Sequence, residues 1–199
     1  DTSPPGVLGQ VAGLWGTANA AADPNALYVV VGGGNDMRDA RTAFTGTTAA
    51  DAAGRLAAAE AAMDNLATSL GYLASKGAVN VLVSNLPDLG ATPEATFLGL
   101  TAASAAASAS FNSLFPSLVA YGASVGLNVS FLDMAGLAAD VRNDTLNNGG
   151  AAYGFTNVSM PCGGFDFSAG ASCATSLFSD ALHPPAPAHK PIGEAALAR

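Results

Sequence analysis

Leu27-Tyr28-Val29-Val30-Val31-Gly32-Gly33-Gly34-Asn35-Asp36 is the stretch on which the reading of the fold turns. Five consecutive apolar, mostly β-branched residues form no alternating polar face, so they read as a strand buried on both sides, and the glycine run closes it into a loop. Working outward, residues 79–84 and 127–132 repeat the short apolar pattern. Between them lie segments of helix formers: residues 49–75 carry Leu56, Met63, Leu66, Leu70 and Leu73 at helical spacing, with Gly77 as a C-terminal stop. Thr92-Pro93-Glu94 supplies a cap, a first-turn proline and a first-turn acid for a helical region running to about residue 123, with a kink or break expected near Phe115 because Pro116 follows. Residues 7–21 and 134–142 read as further helices, 143–179 as irregular and 185–198 as a terminal helix. Strands separated by helices in the order βαβαβα predict a parallel sheet with helices on both faces, a three-layer α/β/α sandwich, in one domain over residues 1–199.

Composition narrows the partners. Half of the 199 residues are hydrophobic, yet 44 are alanine and one is tryptophan, so much of the apolar content is small. Fifteen acidic against seven scattered basic residues give a charge of −8 and no basic stripe, which argues against nucleic acid or an anionic membrane surface. Apolar runs end after about five residues, where a spanning helix needs roughly 20, so no transmembrane segment is expected. The first six residues lack the regions of a signal peptide, and the start reads as mature or truncated. Cys162 and Cys173 have no neighbouring ligands at zinc spacing, and a local disulfide is the economical reading. It places the protein in an oxidising compartment, secreted or periplasmic in a bacterium.

In open parallel sheets, ligands sit at the carboxyl ends of the strands. That rule selects Gly32-Gly33-Gly34-Asn35-Asp36, Ser84-Asn85-Leu86-Pro87-Asp88 and Asp133, to which Asp180-Ala-Leu-His183 is added for its histidine. Nucleotide readings fail, since Met37 stands where a dinucleotide loop needs glycine and no P-loop lysine is present. Gly33 and Gly34 instead let backbone approach a small ligand, and the Asn35 amide is placed to stabilise an oxyanion; the plainer reading has Asn35 and Asp36 capping a turn. Asp180 and His183, three apart, suit a carboxylate orienting an imidazole. As alternatives, His183 caps the terminal helix, or the pair is a fragment of a metal site that no further ligand completes. Gly122-Ala-Ser124-Val-Gly126 matches the nucleophile-elbow pattern of α/β-hydrolases, but it precedes a strand where the elbow must follow one.

Together, Gly33-x-Asn35-Asp36, Asn85-Leu-Pro-Asp-Leu-Gly-Ala-Thr-Pro93 and Asp180-x-x-His183-Pro184, in that order, resemble the SGNH hydrolases, the GDSL lipase and esterase family. The resemblance implies a flavodoxin-like sandwich that hydrolyses small-molecule or lipid carboxylic esters through a serine nucleophile, without cofactor or metal. It implies His183 as general base, Asp180 orienting it and Asn35 as an oxyanion donor. The family's Gly-Asp-Ser-Leu block and its glycine-bearing second block are absent. The expectation is therefore a C-terminal portion whose nucleophile comes from an N-terminal segment of roughly 60 to 120 residues, counted from the missing βα units. The rival expectation is a catalytically dead module of the same fold that binds ligands or partners.

Overall fold

The three apolar segments form strands β1 (Leu27–Val30), β2 (Asn80–Ser84) and β3 (Asn128–Leu132) of one parallel sheet, in the order β1-β2-β3. Register pairs Val29 with Leu82, and Leu82 with Ser130. The computed structural model describes residues 5–16, 21–163 and 171–199. The helices are α1 (Val7–Gly16), α2 (Gly34–Ala43), α3 (Ala49–Ser75), α4 (Pro93–Phe97), α5 (Thr101–Ser124), α6 (Met134–Asn148) and α7 (Ala186–Leu197). A short parallel pair, β4 (Asn157–Pro161) and β5 (Ser176–Phe178), lies between α6 and α7 in the chain.

Helix α3 shows why the pattern was readable. Thr48 caps it, its hydroxyl accepting from Asp51 N–H while the Asp51 carboxylate accepts from Thr48 N–H, both at 3.1 Å. Ala59, Ala62, Met63, Leu66, Leu70 and Leu73 turn one stripe inward. Leu56, expected on that stripe, is 39% exposed; Arg55 takes the inward position instead and donates to the carbonyls of Phe44 and Gly46. The main core joins α1, α3 and α5 to the sheet face carrying Tyr28, Val30, Val81, Val83, Val129 and Phe131. Phe111 and Phe115 from α5 fill its centre, each stabilising by roughly 3–5 kcal/mol relative to alanine.

Several boundaries differ from the sequence reading. Helix α5 continues through Pro116, and the interruption falls at residues 98–100, between α4 and α5. The loop expected after Gly34 is helix α2, and α6 extends six residues past Arg142 to Asn148. The segment read as irregular contains β4 and β5. Residues 17–20 of the expected first helix lie outside the described residues.

The sheet is flanked by helices, but unevenly. On the face opposite the main core, Leu82 and Leu132 are buried, whereas Leu27 and Val29 of β1 are 58% and 60% exposed. Because all three strands run parallel, their carboxyl ends open onto one edge, bringing Gly33, Asn85 and Asp133 to the same side of the sheet.

Candidate active site

Four loops converge on that edge, and each is fixed by its own chemistry. After β1, Gly33 adopts φ +94° at the N-cap of α2; a Cβ there would also collide with the Phe111 ring, so packing as well as conformation requires glycine. Gly34 starts the helix with open space around it, its nearest neighbour being Leu86 Cδ2 at 3.9 Å from a Cβ position. Asn35, on the first turn of α2, is exposed. Its Oδ1 accepts a long bond from Arg38 Nη1 at 3.4 Å.

After β2, the block that begins at Asn85 is a structural clamp. Buried Asn85 donates to Asp133 Oδ1 at 2.7 Å and accepts from Ala135 N–H at 3.0 Å, tying the ends of β2 and β3 together. Asp133 is held below the usual carboxylate range by hydrogen bonds from Gly136 N–H and the Asn85 side chain. Asn112 brackets Leu86, accepting from its N–H and donating to its carbonyl. Asp88 caps the following 3₁₀ turn, Leu89–Ala91, through Gly90 N–H at 2.8 Å. The Asn85, Asp88 and Thr92 side chains of this block thus each hold backbone or a neighbouring side chain.

The Asp180–His183 turn is built differently. One oxygen of Asp180 accepts from the N–H groups of Leu182 at 2.7 Å and His183 at 2.6 Å; the other lies 2.8 Å from His183 Nδ1. Ser179 closes the turn by donating its N–H and hydroxyl to the His183 carbonyl. Burial works against the Asp180 charge, but these hydrogen bonds from His183 and Leu182 outweigh it and hold the carboxyl below its ordinary value. An ionised acceptor at Nδ1 fixes the imidazole with its Nδ1–H toward Asp180 and its Nε2 outward. The imidazole is 70% exposed, so the ring held at Nδ1 remains open to solvent.

Arg38 and Glu94 were not singled out by sequence, and they join these pieces. Glu94 receives two bonds from Arg38, at 2.6 and 3.1 Å, and a third from the buried Arg41, whose other nitrogen donates to Ser104. The Glu94 N–H in turn donates to Ala181 O at 2.8 Å, inside the Asp180–His183 turn. In the sequence, Arg38 was one of seven scattered cations and Glu94 a first-turn acid; only their meeting across 56 positions gives them meaning.

Ser124 lies elsewhere. It ends α5, donates to the Tyr121 carbonyl at 2.7 Å, and sits before β3, at the opposite end of the strand from Asp133. Nor does any group of three or more acidic, cysteine or histidine side chains among the described residues form a metal site.

Beside the His183 turn, between α6 and α7, is a cavity of about 400 Å³ lined chiefly by apolar side chains including Leu137, Val141, Leu177, Leu182, Pro184 and Ile192. Cys162 and Cys173 form a disulfide with Cα atoms 4.9 Å apart, joining the end of β4 to the segment before β5. No described helix is long and apolar enough to cross a membrane.

No curated protein matches the chain. The family model described as GDSL-like lipase/acylhydrolase matches residues 7–196, nearly its whole length. The chain therefore belongs to the GDSL-like lipase/acylhydrolase family.

Proposed function

We propose that this chain is the C-terminal part of an exported carboxylic-ester hydrolase. The reading rests above all on one observation: an exposed His183 imidazole held through Nδ1 by Asp180, in a parallel α/β chain of this family. In this reading the nucleophile is a serine carried by a segment N-terminal to the chain. His183 Nε2 removes the hydroxyl proton as the serine oxygen attacks the ester carbonyl, and Asp180 stabilises the imidazolium that forms. The negative charge that moves to the carbonyl oxygen is met by the Asn35 Nδ2–H and by backbone donors, while Gly33 packs its turn against Phe111 and Gly34 adds no side chain beside Asn35. His183 then delivers its proton to the departing alkoxide, and the same base activates water to release the acid.

The apolar cavity beside Leu182 and Pro184 suits the hydrocarbon part of the ester, since about 400 Å³ falls in the range of small-ligand pockets. The disulfide suits an oxidising, extracytoplasmic location.

The test is hydrolysis of p-nitrophenyl esters by the full-length protein, including the proposed nucleophile segment. Turnover that falls at least a thousandfold in His183→Ala and about a hundredfold in Asn35→Ala, with little change in KM for the latter, supports the assignment. Turnover indifferent to His183 would refute it.

A further inference from the structure

A primary amide has two chemically opposite ends, and an oxyanion site can use only one. Were Asn35 to present Oδ1 to the developing negative charge, it would repel what it is meant to stabilise. Rotation about the last side-chain bond exchanges the two ends at little cost on an exposed residue, so something must choose between them. Arg38 makes that choice. A guanidinium has donors and no acceptor, so the Asn35 end that faces Arg38 Nη1 must be the oxygen, which turns the Nδ2–H groups away from it. Charge on the guanidinium also draws electron density toward Oδ1 and leaves the amide hydrogens better donors.

Arg38 is not free to swing. Glu94 grips it through both carboxylate oxygens, and the same Glu94 is anchored from beneath by the buried Arg41. Hydrogen bonding to Glu94 correspondingly raises the affinity of Arg38 for its proton. The backbone N–H of Glu94 reaches the turn that carries the base, through Ala181 O. One residue therefore touches both halves of the site: the oxyanion side through Arg38 and the base side through its own amide.

Building on the hydrolase reading above, we propose that Arg38 is a positioning residue that sets the Asn35 amide with its N–H groups toward the reacting carbonyl. Glu94 is the strut that holds Arg38 and Asn35 at a fixed distance from the Asp180–His183 turn.

A double-mutant cycle on the full-length enzyme separates this from a merely structural role. Arg38→Ala leaves the Arg41–Glu94 pair in place, so the fold is retained. The expected result is a roughly tenfold fall in kcat for p-nitrophenyl acetate with KM within twofold, no further loss when Arg38→Ala is added to Asn35→Ala, and partial recovery in Arg38→Lys. Equal losses from Arg38→Ala in both backgrounds would overturn the proposal, as would unchanged kcat in the single variant or a loss confined to KM. These outcomes require an active wild type that depends on His183. A wild type without esterase activity would instead overturn the hydrolase reading on which the proposal rests.

Discussion

Arg41 has 2% of its side chain exposed and leaves its Nε without a partner among the described residues. Such a group is tolerated because Glu94 neutralises it, and Ser104 satisfies a further donor. Removing the carboxylate strands the guanidinium, so Glu94→Gln should cost about 3 kcal/mol, lowering Tm by roughly 6–12 °C for a chain of this size. Arg38→Ala, where the side chain is 35% exposed, should cost no more than about 1 kcal/mol. Thermal unfolding of the two variants side by side checks the contrast; equal losses would mean that Arg41 finds another counter-charge. Glu94 also carries a pH signature. The Arg38 hydrogen bonds hold its carboxyl below the ordinary value, so the unfolded chain binds its proton first as acid is added. The stabilisation is whole above the unfolded-state value, about 4.3, and is lost as pH falls through the lower folded-state value. A denaturant midpoint that falls less steeply below about pH 4 in Glu94→Gln than in the parent would confirm it.

Among elements, legibility followed how locally each is stabilised. The strands of the main sheet declare themselves as short apolar runs, and α3 by its helically spaced apolar residues and the capping box at its start. Helix α2 does not. Its sequence, Gly34-Asn-Asp-Met-Arg-Asp-Ala-Arg-Thr-Ala43, is polar and opens with turn residues, and it is helical because Met37, Ala40 and Arg41 are buried against α3 and α5. Strands β4 and β5 are short, and Pro161 and Asn157 within β4 read as turn residues. Of the candidate site, Asp180 with His183 was legible as a local pair, three residues apart. The Arg38–Glu94 link was not, because no local rule relates positions 56 apart. Gly33 tests the junction between β1 and α2. Gly33→Ala forces a left-handed conformation on a residue with a Cβ, at roughly 1–3 kcal/mol, and drives that Cβ into Phe111, at a further 1–3 kcal/mol. Chemical denaturation should show the summed loss, and Gly33→Ala combined with Phe111→Leu should recover part of it. The disulfide spans 11 positions, for which loop entropy gives about 3 kcal/mol. A non-reduced digest should yield Cys162 and Cys173 in one crosslinked peptide.

For the molecule as a whole, the two outer strands of the sheet are unlike. β3 carries Asn128 and Ser130 on the face opposite the main core, as expected of an edge in contact with water. β1 carries Leu27 and Val29 there, with Val31 beyond its end, all more than half exposed, and its outer edge has no partner strand among the described residues. Such a row is the composition of an interior strand, and exposed apolar edges invite aggregation. The proposed N-terminal segment meets both needs at once, by adding strands beside β1 and a helix over Leu27 and Val29 while bringing the serine to the carboxyl edge near His183. Two outcomes should then go together. The 199-residue chain expressed alone should self-associate, and Val29→Lys should relieve that association. In the full-length protein, the same substitution should weaken labelling by a fluorophosphonate probe, because the segment carrying the serine no longer seats. Mass analysis of the labelled protein should place the adduct on a serine N-terminal to this chain. Label on Ser124, or a monomeric 199-residue chain with full esterase activity, would show that the bare face of β1 has no such partner.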